Sequence, residues 1–166
     1  MAELHSDRIH ERAIGRMRES GDHLMRVLAL DVGERRIGLA ISDPSGTLAR
    51  PLATIAIENA ADGVTRVADE IGRLGGEEDG LSAIVVGLPV RLDGSPNDQT
   101  PRVAAFIDAL KIRTPLPIVT ADERLTSREA ESRLAVHERD WRARKAKLDA
   151  AAAAIILQEY LDRAHD

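Results

Sequence analysis

Three carboxylates in this chain stand where a bare negative charge is costly. Asp31 closes the apolar, β-branched run Arg26-Val-Leu-Ala-Leu-Asp31; Gly33 and, after a short turn, a second apolar run at 37–41 follow it. The pattern predicts a hairpin with an acid beside its turn. An ionised carboxylate at a sheet end is costly to desolvate unless a cation or hydrogen-bond donors meet it. An Asx-type turn, with Asp31 accepting from nearby backbone amides, meets the same demand, and both readings stand. Glu123 lies in Thr120-Ala-Asp122-Glu123-Arg124-Leu-Thr126-Ser127. There an acid can serve chemistry or simply favour the N-terminus of the helix that follows, although Thr126 or Ser127 would cap that helix better. Asp149 heads an otherwise apolar stripe, with Ala152, Ala153, Ile156 and Tyr160 at helical spacing. It is either a first-turn acid favoured by the helix dipole or a charge on an inward face that needs a partner. Three such acids, in a chain with no cysteine, are suited to hard divalent cations. Mg²⁺ takes oxygen ligands and keeps several waters, so two or three carboxylates suffice. Paired ions roughly 4 Å apart would activate a water and stabilise the leaving oxygen in phosphodiester hydrolysis.

Cationic residues lie close to these acids in sequence. Arg124 adjoins Glu123, where it can hold a phosphate bidentately or pair with an acid such as Asp122. Between 137 and 147, Arg139, Arg142, Arg144, Lys145 and Lys147 face only Glu138 and Asp140, a local surplus of three positive charges just before Asp149. This segment is read as a loop. Arg142, Arg144 and Lys145 are its candidates for gripping a nucleic-acid backbone, against the alternative of a solvated charged face. His137 is read as a surface residue, Trp141 as a base-stacking or core residue, and Gly33 and Gly38 as turn glycines.

The elements that must position these residues follow from the apolar pattern. Runs at 27–32, 37–41 and about 48–57 predict an antiparallel meander. Val64, Val67, Ala68, Ile71 and Leu74 predict a helix over 62–74, with Asp62 as N-cap and Gly75-Gly76 as its stop. The fully apolar run at 83–89 predicts a central parallel strand. Further predictions are a second helix ending near Lys111, a strand over 116–120, a helix over 125–136 and a long helix over 147–163. Together these predict an α/β fold with a mixed sheet and helices on its faces, the strands at Leu28, Ile84 and Ile118 lying parallel and adjacent. Ligands bind outside the carboxyl ends of such strands, where Asp31, the loop after Leu88, and Glu123 fall.

Composition bounds the rest. The 166 residues suffice for one domain with a proper core. A net charge of −5, from 23 basic and 28 acidic residues, argues against a polyanion binder driven by bulk charge. Three aromatic residues, Phe106, Trp141 and Tyr160, are too few for a base-stacking platform. No apolar run approaches a membrane span. Residues 1–24 carry charges of both signs without an apolar signal core and are read as a flexible or loosely helical extension ahead of a domain over 25–166. The lack of cysteine excludes disulfides and fits a reducing, cytoplasmic setting.

Four groups of residues also carry a likeness. Asp31-Val-Gly33 with Arg36-Ile-Gly38, Ile84-Val-Val-Gly87-Leu-Pro89 with Asp93-Gly94, Asp122-Glu123-Arg124-Leu-Thr126, and Leu148-Asp149 leading through Ala151-Ala152 to Ile156-Leu157-Gln158 resemble the YqgF (RuvX-like) family of bacterial RNase H-like nucleases, relatives of Holliday-junction resolvases. The resemblance spans about residues 26 to 161, and Val32, Arg91 and Asn97 depart from the usual family pattern. It implies an RNase H-like fold, a mixed five-stranded sheet with its first three strands antiparallel and the rest parallel, and helices on both faces. It further implies dependence on Mg²⁺ or Mn²⁺, with Asp31, Glu123 and Asp149 as catalytic metal-binding carboxylates. The implied task is 5′-end maturation of the small-subunit ribosomal RNA precursor. Structured RNA or branched DNA is the expected partner, no membrane is involved, and the chain is expected as a monomer or weak homodimer. The competing readings are a DNA junction resolvase, which needs a symmetric dimer, and a non-catalytic RNA-binding assembly factor. A pure binder has no use for clustered negative charge facing phosphate.

Overall fold

The runs at 27–30 and 83–87 have no polar side, so the strands they form must be covered on both faces. A computed structural model shows how; it describes residues 25–123 and 141–165, with side chains in the last helix described from Lys147 onward. The elements are β1 (Arg26–Val32), β2 (Arg36–Ser42), β3 (Ala49–Ala56), α1 (Ala60–Gly75), β4 (Leu81–Leu88), α2 (Thr100–Arg113), β5 (Ile118–Asp122) and α3 (Trp141–Ala164). They build one five-stranded sheet in the order β3-β2-β1-β4-β5. The meander β1–β2–β3 is antiparallel, and β4 and β5 join parallel to β1, as expected. This is the RNase H-like arrangement.

Strand alternation splits the core in two. Leu28 and Leu30 of β1, Ile37, Leu39 and Ile41 of β2, and Ile84 and Val86 of β4 face α1 and α2, meeting Val64, Val67, Ile71, Val103, Phe106 and Leu110. The opposite face presents Val27, Ala29, Ala40, Ala83, Val85 and Val119 to Ala153, Ile156, Leu157 and Leu161 of α3. Alanines on both sides of that second interface let the long helix lie close to the strands.

Several boundaries move from where the pattern put them. Helix α1 is capped by Asn59, whose side chain accepts from the Asp62 N–H, and not by Asp62. The Asp62 carboxylate reaches back to accept from the Glu58 N–H, a reciprocal box that closes the first turn. The basic segment is no loop over 142–147, because α3 begins at Trp141 and runs through it. Arginine, alanine and lysine are good helix formers, and a charge surplus alone does not break a helix. Strand β5 extends to Asp122, two residues past the expected end. The expected helix over 125–136 and the extension over 1–24 lie outside the described residues. Among those described, no helix is long and apolar enough to cross a membrane.

Candidate active site

Strand parity places the acids. In β1, Asp31 follows Val27 and Ala29 on the α3 side of the sheet. In β5, Val119 and Ala121 pack on that same side, so Glu123, next in phase, emerges there as well. Asp31 pairs with Gly38 across the β1–β2 ladder, and Leu30 pairs with Val86, which sets Asp31 level with Gly87 of β4. Two glycines thus flank the acid on the face where α3 packs.

Those glycines make room. A Cβ at Gly38 would lie 2.1 Å from the backbone oxygen of Asp149, and one at Gly87 would lie 2.6 Å from Ile156 Cδ1 and 3.2 Å from Glu123 Oε2. Gly38 is therefore a strand residue required for the close approach of α3, not the turn residue expected of it. Gly33 is the turn residue: its N–H donates to Arg36 O at 2.8 Å. Asp31 itself lies within the β1–β2 ladder, so an Asx turn does not account for it.

Asp31 and Glu123 share a hydrogen bond. Burial raises the pKa of both carboxyls, and each feels the other and Asp149 as well. Glu123 is pushed up to about 10, by burial first and then by its hydrogen bond to Asp31. Glu123 thus keeps its proton at neutral pH and donates it to the Asp31 carboxylate. Two carboxyls this close cannot both ionise without a cation.

Asp149 is the third acid of the group. It sits more than two turns inside α3, so the first-turn dipole reading of it falls. Its Oδ2 accepts from Arg36 Nε at 2.8 Å, with the two side chains 26% and 30% exposed. Arg36 lies two residues before Gly38 in β2, on the face that α3 covers. The structure therefore joins Asp31 to Glu123 and holds Asp149 beside them on a guanidinium. Among the described residues, no three acids or histidines are grouped as the ligand set of one ion. The donor set nevertheless fits a hard divalent cation: it is all carboxylate oxygen, and a proton on Glu123 and a guanidinium on Asp149 now supply the positive charge the acids require.

Of the other expected residues, Arg124 lies outside the described residues, and Arg142, Arg144 and Lys145 fall in the first two turns of α3. Arg102 of α2, by contrast, had no mark in the sequence, yet its charge draws down the pKa of both Asp31 and Glu123. Arg36 and Gly87 carried a signal that the alternation of their strands makes readable, since each shares a parity with residues facing α3.

The chain is similar to known proteins over most of its length. The family described as RuvX, Holliday junction resolvase, matches residues 25–163. A Roseiflexus sp. protein named as a candidate pre-16S rRNA nuclease is 41% identical over 137 residues, covering 82% of this chain and 94% of its own. One of the same name from Chloroflexus aurantiacus is 45% identical over 136 residues, covering 82% of this chain and 86% of its own. Among solved structures, T. thermophilus RuvC in complex with a Holliday junction substrate aligns with a TM-score of 0.48 at 16% identity, covering 84% of this chain and 95% of that one.

Proposed function

Since the chain belongs to the RuvX family, we propose that it is a metal-dependent endonuclease that hydrolyses phosphodiester bonds in the precursor of small-subunit ribosomal RNA, maturing its 5′ end in the cytoplasm. The observation that carries this is the half-buried Asp31–Glu123 pair at the carboxyl ends of β1 and β5, with Asp149 facing it from α3. A binding factor would gain nothing from three carboxylates turned toward phosphate. The proposal accords with relatives of like length named as candidate pre-16S rRNA nucleases.

Asp31, Glu123 and Asp149 would hold Mg²⁺ or Mn²⁺. When bound, such ions supply an activated water and offset the charge that develops on the leaving oxygen. Asp31 contributes rigidity, because its backbone is locked in a central strand with neighbours on both sides. Glu123 contributes a proton that it can give up when a cation replaces it. Arg36 keeps Asp149 turned toward the pair. Arg124, with Arg142, Arg144 and Lys145 of α3, would bind the backbone of the nucleic acid, and the active unit would be a monomer or weak homodimer.

The deciding experiment incubates the protein with a small-subunit ribosomal RNA precursor and, separately, with a four-way DNA junction, in Mg²⁺ or in EDTA. Mg²⁺-dependent cleavage of the RNA near its mature 5′ end is the expected result. Cleavage of the junction alone would overturn the substrate, and cleavage unaffected by EDTA or by Glu123→Gln would overturn the site.

A further inference from the structure

We infer that Arg102 is a substrate-binding residue that holds a phosphate of the nucleic-acid backbone beside the acids; the assignment rests on the nuclease reading above. A cavity of about 190 Å³ opens against the end of β1. Val32, Gly33 and Glu34 form one wall, Arg102 and Phe106 of α2 the other, and Ile57 lines it between. Glu34 is exposed at its position, whereas Arg102 is half-buried and is the one cation among the described residues of the lining.

The guanidinium is placed but not neutralised. Its Nε and Nη2 both donate to Gln99 Oε1, at 3.1 and 2.6 Å, a neutral acceptor one turn back on the chain. Among the described residues no carboxylate forms an ion pair with it. The element beneath it is pinned: Asn97 Oδ1 accepts from the N–H groups of Gln99 and Thr100, and the Thr100 hydroxyl donates to Pro89 O. Arg102 therefore stands on a fixed helix start, in a cavity on the α1 and α2 side of the sheet, just past the end of the strand that carries Asp31 on its other face. Its charge is felt by both Asp31 and Glu123.

A cation serving only to compensate those acids would close onto one of them, and this one is turned to an amide instead. A phosphodiester brought to the site meets the negative charge that remains on this acid cluster, which repels it. A guanidinium at the rim offsets that repulsion, and its planar fork can hold two phosphate oxygens in fixed orientation, which a lysine cannot do. The contact is to phosphate and not to sugar or base, so it should serve RNA and DNA strands alike.

The test is binding of a fluorescently labelled single-stranded RNA, and of a DNA of the same sequence, to the full chain in EDTA over a series of salt concentrations. Arg102→Gln should weaken both by roughly tenfold at low salt and reduce the slope of log affinity against log salt by about 0.7, one phosphate contact on a single strand. Arg102→Lys should keep most of the slope while losing part of the affinity. Manganese binding to Arg102→Gln, read by calorimetry without nucleic acid, should be no weaker than in the wild type, because a nearby positive charge has been removed. An unchanged salt slope in Arg102→Gln, with the wild type still cleaving RNA, would overturn this inference alone. A wild type that neither binds nor cleaves either strand would overturn it together with the nuclease reading. Weakened manganese binding at an unchanged slope would make Arg102 a support for the acids and overturn it as well.

Discussion

Glu123 holds its proton because burial and Asp31 make its charged form unfavourable, and that has a consequence for stability. In the unfolded chain the same carboxyl ionises near the ordinary glutamate value. Between that value and about 10 the folded state binds the additional proton, so metal-free stability falls as pH rises through this window. Asp31, also raised, acts with the same sign. Glu123→Gln should therefore melt higher than the wild type in EDTA at pH 8, with a flatter dependence on pH, while losing cleavage in Mg²⁺. Thermal melts across the pH range check the first effect and turnover the second; a melting profile parallel to the wild type would refute the raised pKa. Asp31→Asn should keep the fold and lower Mn²⁺ affinity at least about tenfold, a loss comparable to that from removing even an outer partner of a ligand. Calorimetric titration decides it, and indistinguishable isotherms would remove Asp31 from the ligand set.

Helix α3 and the strands beneath it meet through glycines whose replacements should have separable effects. At Gly38 the obstacle to a methyl group is the backbone of α3, 2.1 Å away, which cannot yield without moving the helix. Gly38→Ala should cost about 2 kcal/mol or more in denaturant unfolding. At Gly87 the nearest atom is the tip of Ile156, which can rotate aside, and the next is a Glu123 oxygen, which is tightly placed. Gly87→Ala should spare most of the stability and reduce activity and metal affinity more. Equal loss of stability in both variants would show that α3 tolerates no shift at either place. The N-terminal half of α3 carries the other element-level prediction. Replacing Arg142, Arg144 and Lys145 with alanine leaves helix propensity intact and should weaken nucleic-acid binding and flatten its salt dependence. An unchanged salt slope would reduce that half of the helix to a solvated surface.

Because the three acids come from β1, the end of β5 and α3, a cation bound by all of them would tie together parts of the chain that are more than 110 residues apart in sequence. A ligand that binds only the folded state raises its stability by mass action, so Mn²⁺ should raise the melting temperature, EDTA should reverse the shift, and Asp149→Asn should shrink it. Ca²⁺ should give a shift without supporting turnover, since it accepts longer bonds and more ligands. Turnover in Ca²⁺ equal to that in Mg²⁺ would refute a site of strict geometry. The linear chain was enough to read the order of the described strands and helices, the two-sided burial of β1 and β4, and Asp31, Glu123 and Asp149 as candidates. Apolar periodicity records which faces are buried, and a charge at a buried position stands out against it. Periodicity reports burial but not what lies opposite, so other features were absent from it. The hydrogen bond between Asp31 and Glu123, the guanidinium of Arg36 on Asp149, and the nearness of Arg102 each join residues distant in sequence. The requirement for glycine at position 38 likewise arises only once α3 crosses β2, because a missing side chain leaves no pattern until another backbone fills its place.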